Sequence, residues 1–178
     1  MFYLCLIFTS INLHCGENQK LCELNNKNKI DSISLSYPNE IKVTYQIKEN
    51  FVDVSSSIIF RYSGPDEVKK YINGCDTLEI RWYWNNNQYG DDRAKEWIVE
   101  SYSQMYPSDC PQTIKDIYFN QLQGTLSEII CPDPTRMVFI GINEASNYLV
   151  VAYYNTNSSN KCAKEEFIAI INSMVFHI

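Results

Sequence analysis

The sequence predicts an α+β domain, an antiparallel β-sheet flanked by helices. Three observations predict it. Strict alternation recurs along the chain, as in Ile41, Val43, Tyr45 and Ile47 against Lys42, Thr44, Gln46 and Lys48. Two stretches instead carry apolar residues at helical spacing: Ala94, Trp97, Ile98 and Met105, then Phe167, Ile170, Ile171 and Met174. The length of 178 residues, 45% of them apolar, suffices for one hydrophobic core but not comfortably for two.

The elements follow in order. Residues 16–30 read as a polar tether ending in Asn25-Asn26-Lys27-Asn28-Lys29, so a single domain is expected over 31–178. Ile33, Leu35 and Tyr37 alternate with Ser32, Ser34 and Ser36 in a first strand, which Pro38-Asn39 turns into the second. A third strand starts at Phe51, Val52 and Val54 and continues through Ile58, Ile59 and Phe60. Pro65, Asp66 and Glu67 open a short helix, Val68, Tyr71 and Ile72 form its apolar face, and Asn73-Gly74 stops it. Ile80, Trp82 and Trp84 share one face of the next strand, with Arg81 and Tyr83 on the other. Asp92 to Tyr106 reads as a helix. Strands follow over 114–122, 125–131, 136–142 and 148–155, with turns at Gly124 and at Glu144 to Asn147. A helix from Cys162 to Asn172 and a short strand from Met174 to His177 close the chain.

Phe2 to Ile11 is a short apolar run that ends abruptly at Asn12 and precedes polar sequence. It has the length of a signal-peptide core and falls short of the ~20 residues a membrane-spanning helix needs. Residues 1–15 are therefore read as a signal segment, and the domain is placed outside the cytoplasm. Leu13, Cys15 and Gly16, followed by a polar tether, resemble the signal of bacterial lipoproteins. His14 departs from the usual small residue and is similar to the relaxed form of spirochaete lipoproteins. The resemblance implies lipidation at Cys15 and a membrane anchor. The alternative is a freely secreted chain. The remaining cysteines, Cys22, Cys75, Cys110, Cys131 and Cys162, are scattered with no Cys-x-x-Cys pair and read as disulfide candidates. If Cys15 stays a thiol, six cysteines remain for three bonds; if it is acylated, five remain.

Several chemistries lack their residues. Lys+Arg 15 against Asp+Glu 21 gives a net charge of −6, the wrong sign for a nucleic-acid binder. Only two histidines are present, His14 and His177, so neither a Cys-His nor a Ser-His-Asp centre is expected, and His177 reads as a terminal strand residue. No Gly-x-Ser-x-Gly turn, phosphate-binding glycine loop or clustered zinc ligands occur, and no cofactor or metal is expected. Asn85 to Glu96 places Gly90 sixth and Glu96 twelfth, as a calcium loop does. Asn85 stands in the first position, however, and a strand precedes it, so Asp91 or Asp92 is better read as a helix cap. Arg81-Trp82-Tyr83-Trp84 is first of all core packing. Its functional reading offers Tyr83, Trp84 and Tyr89, beside the Asn-rich loop, as binding residues for a protein or sugar surface. Glu79, Arg81 and Arg93 read as a solvated charge network, and Asn157-Ser158-Ser159 as a glycosylation sequon in a eukaryotic secretory route.

Two motifs resemble the PsbP-like family. Ile33-Ser34-Leu35-Ser36-Tyr37-Pro38 is similar to its opening strand, and Phe167 to Phe176 is similar to its closing helix running into Ser-apolar-x-Phe. The resemblance covers Asp31 to Ile178 and implies an α/β/α sandwich with an accessory or binding role. The expectation is thus an exported, lipid-anchored, non-catalytic protein that binds a protein or other macromolecule at the cell surface. The alternatives are a secreted disulfide-stapled binding protein and, less favoured, a glycosidase using two carboxylates about 5–9 Å apart.

Overall fold

The computed structural model describes residues 27–36, 40–55, 67–74, 76–84, 110–130, 135–156 and 162–178. The strands among them are β1 (Asn28–Leu35), β2 (Ile41–Lys48), β3 (Val52–Asp53), β4 (Glu67–Asn73), β5 (Asp76–Trp84), β6 (Gln112–Tyr118), β7 (Gln123–Ile129), β8 (Thr135–Asn143) and β9 (Tyr148–Thr156). A helix, α1 (Ala163–Asn172), and a last strand, β10 (Val175–His177), follow. They make two antiparallel sheets, one of order β1-β2-β10 and one of order β3-β4-β5-β9-β8-β7-β6.

The alternation read in β2 sets the small sheet. Ile41, Val43, Tyr45 and Ile47 are buried on one face, while Lys42 and Gln46 face water. Its register runs from Asn28↔Lys48 to Leu35↔Ile41 on one side and through Phe176↔Val43 on the other. The inner faces of the two sheets share one core, in which Leu35, Val43 and Tyr45 meet Leu78, Ile80, Trp82, Phe139, Val150 and Tyr154. Fully burying a side chain of this size contributes about 1.5–3 kcal/mol.

The centre of the large sheet is buried on both faces. Val138, Ile140, Leu149 and Val151 form a second cluster on its outer face. That is why Met137 to Ile142 and Tyr148 to Tyr154 read as continuous apolar runs rather than as alternation.

The expected α+β layering, a sheet flanked by helices in an α/β/α sandwich, is not what forms. Two antiparallel sheets face each other, and among the described residues the only helix is α1. The expected helix through Val68, Tyr71 and Ile72 is strand β4. Tyr71 packs inward opposite Leu78, whereas Val68 and Ile72 sit on the other face opposite Arg81 and Thr77. Gly74, read as a helix stop, has φ +59 in the two-residue connection between β4 and β5. Positive φ serves a helix C-cap and a tight hairpin equally, so the glycine alone did not discriminate. Nor does α1 cover a sheet from outside. It contacts β2 and β9, and Phe167, Ile170 and Ile171 enter the core that the two sheets share. The expected helix from Asp92 to Tyr106 and the strand extension at Ile58 to Phe60 lie outside the described residues.

Two further boundaries move. β1 starts at Asn28, inside the stretch read as tether, and the Glu49 N–H donates to the Lys27 carbonyl at 3.0 Å beyond it. Gly124 is not in a turn. It lies in β7 opposite Gly141, and the reversal occurs at Phe119 to Leu122, closed by a 2.8 Å backbone bond. A Cβ on Gly124 would sit 2.1 Å from the Ile140 carbonyl oxygen. A Cβ on Gly141 would meet the Phe139 ring at 2.3 Å. The facing glycines therefore let backbone approach backbone while an aromatic ring folds over the gap.

Gly124→Ala is expected to cost about 1–3 kcal/mol through overpacking against backbone. Gly74→Ala, whose Cβ meets nothing within 4 Å, is expected to cost about 1–2 kcal/mol from its dihedral alone. Urea unfolding of the two variants checks this, and a Gly124→Ala protein as stable as the parent would contradict it.

Candidate functional site

Polar groups between the layers are engaged with one another. The phenols of Tyr45 and Tyr71 share a buried hydrogen bond, and Tyr71 donates to Asp31 Oδ2 at 2.7 Å. Lys69 lies 4.0 Å from Asp31 and 2.8 Å from Asp53, whose carboxylate also accepts from Ser55. At a second junction, Tyr154 Oη lies 3.2 Å from both Asp76 Oδ2 and Glu166 Oε2. Thr156 donates to Asp76 at 2.5 Å, and Lys48 pairs with Glu166.

Burial is the main force pushing all three phenols above their ordinary pKa. The carboxylates of Asp76 and Glu166 push Tyr154 further, and Tyr45 and Asp31 do the same to Tyr71. These tyrosines stay protonated and act as donors, not as bases. Asp76 and Glu166 are the convergent acids that a glycosidase reading would want, yet both are held by groups of the fold, which joins α1 to β2, β5 and β9. His177 shares a 2.9 Å hydrogen bond with Thr44 on the exposed face of the small sheet. Among the described residues, no group of three or more His, Cys, Asp or Glu could hold a metal ion.

The binding residues read from the sequence do not come together. Trp84 faces the shared core, edge-on to Tyr148 at 5.7 Å. Tyr83 packs against the cluster on the opposite face of the same sheet. Strand alternation sets them back to back, and both are half-buried. Tyr89 lies outside the described residues. Arg81 forms an ion pair with Glu79 and covers the Tyr153 ring at 4.8 Å, while Arg93 lies outside the described residues. Cys110 and Cys162 are each disulfide-bonded. Cys15, Cys22, Cys75 and Cys131 lie outside the described residues, as does the sequon at 157–159.

What the fold does assemble is a notch of about 330 Å³ at one end of the sandwich. Three elements build it: the β6–β7 connection, the β8–β9 turn and the end of β10. Tyr118, Phe119, Ile142, Phe176 and Ile178 supply apolar walls, with Asn and Gln side chains and Glu144 between them. Two amides lock the elements together. Asn143 Nδ2 donates to the Gln121 carbonyl at 2.6 Å, and Gln121 Oε1 accepts from the Phe176 N–H at 2.6 Å. Asn143 Oδ1 also accepts from the Ser146 N–H at 2.8 Å, shaping a turn in which Asn147 takes φ 57. Sequence reading placed the turn at Glu144 to Asn147 but gave the notch no residue. Its usable signal was a buried Asn beside a turn, which acquires meaning only when β10 is known to lie against Gln121.

No family model matches the chain, and no curated protein matches it. Solved structures do. The Ran-binding protein Mog1p of Saccharomyces cerevisiae superposes with a TM-score of 0.56 at 12% identity, over 86% of this chain and 96% of that one. A point mutant of Mog1 gives 0.51 at 12% identity, over 85% and 96%. At this identity the likeness is one of fold.

Asp53 supplies a test of the polar junctions. Burial opposes its charge, but the bonds from Lys69 and Ser55 win and hold its carboxyl below the usual carboxylate range. A depressed folded pKa stabilises above the unfolded value and is lost as pH falls through the folded one. Asp53→Asn is therefore expected to flatten the acid-side fall of Tm. An unchanged slope of Tm against pH below about 5 would contradict the assignment.

Proposed function

We propose that this chain is a non-catalytic binding module, and that a protein partner contacts it at the notch between β6, β8 and β10. One observation carries the reading: a concave site of mixed apolar and polar lining, tied together by the amides of Gln121 and Asn143, with no paired nucleophile and base among the described residues that line it. The fold likeness supports the choice of a protein partner, since Mog1p is described as Ran-binding. The partner here is a different matter, because the N-terminal apolar run and Cys15 support a module exported and anchored by lipid outside the cytoplasm. Disulfides at Cys110 and Cys162 suit that oxidising setting.

One experiment in the native host reads both parts. A photo-crosslinking residue replaces Tyr118 at the notch, or Tyr83 as control, and the chain is recovered and weighed intact. The expected result is a discrete protein adduct from position 118 alone, on a chain that begins at an acylated Cys15. Equal adducts at both positions, or none, would overturn the notch as the contact site. A chain beginning at an unmodified residue would replace the anchor with free secretion.

A further inference from the structure

The notch sets aromatic and aliphatic side chains beside amides, and the charge among its described lining residues is of one sign. Among its described lining residues Glu144 is the only charged side chain, and it is exposed on the β8–β9 turn. The aromatic residues Tyr118, Phe119 and Phe176 flank it, and Tyr118 is 69% exposed, so its ring is open to a ligand. Two of the amides are already spent within the fold, as Gln121 Oε1 and Asn143 hold the walls. An anion entering this space would meet a carboxylate and, among the described lining residues, no cation. A wholly apolar group would leave the exposed Glu144 carboxylate without a use in binding.

A cationic side chain satisfies every part of the lining. Its methylene stem lies along the aromatic and aliphatic walls. Its head donates to the carboxylate, and a ring face within ~6 Å attracts it further. The chain's net charge of −6 adds a field of the same sense. We propose that the notch is a subsite for a lysine or arginine side chain of the partner protein. The inference rests on the reading of the notch as the contact site and adds the chemistry of what enters it.

The probes are the N-acetyl, N-methylamide derivatives of arginine, lysine, norleucine and glutamate, titrated into the ¹⁵N-labelled full-length domain. The cationic pair is expected to shift the amides of Tyr118, Gln121 and Glu144. Glu144→Gln should weaken their binding about three- to fivefold, while Glu144→Asp keeps most of it. Glu144 is exposed, and the melting curve of each variant verifies that its fold is intact. If norleucine binds as tightly as the cations and ignores Glu144→Gln, the notch is a contact site of apolar specificity and this proposal fails alone. If no probe shifts these amides, or glutamate does so best, the cationic subsite is likewise overturned. A missing adduct at position 118 would instead remove the reading beneath it.

Discussion

Two phenols and a carboxylate join the layers of this molecule. Tyr45 stands on the small sheet, Tyr71 on the large one, and their hydroxyls meet in the interior, where Tyr71 donates a hydrogen bond to Asp31. Apolar burial would hold two sheets together at many relative slides, because it is not directional. A buried hydrogen-bonded chain is directional, and a slide of either sheet would leave a hydroxyl or a carboxylate desolvated and unpaired. The Tyr45 ring also lies 6.0 Å from Trp82, so the same residue joins the polar chain to the aromatic centre of the core. There the Trp82 indole N–H is buried without a hydrogen-bond partner among the described residues, a local cost that the surrounding packing offsets.

The other features follow from that alignment. With the sheets held face to face, α1 wedges between β2 and β9, and Glu166 reaches both Lys48 on the small sheet and Tyr154 on the large one. At the far end, β10 falls beside the β6–β7 connection, where Gln121 can take its backbone N–H. The notch is thus a product of sheet alignment. Its walls come from strands distant in sequence, and its rigidity comes from amides that bond across elements.

Much of this was legible in the residues, and what was not has a physical reason. Strand β2 declared itself because one of its faces is wet, and β7, β8, β9 and α1 were placed within a few residues. The layering was misread at Val68, Tyr71 and Ile72, where i, i+3, i+4 spacing coincides with a strand buried in part on each face. Gly124 was misread because a glycine placed for close backbone approach carries the same letter as one placed for a turn. Tyr83 and Trp84 were adjacent in sequence, and adjacency in a strand means opposite faces. The notch residues were invisible for another reason: Gln121, Asn143 and Phe176 acquire a common role only through tertiary bonds.

The most direct test is a double-mutant cycle on Tyr45→Phe and Tyr71→Phe, read by denaturant unfolding. If the shared hydrogen bond sets the alignment of the sheets, the two substitutions are coupled by about 1–3 kcal/mol, with the larger single cost at Tyr71, which also serves Asp31. Costs that simply add would show that the two hydroxyls act independently and that apolar packing alone aligns the layers.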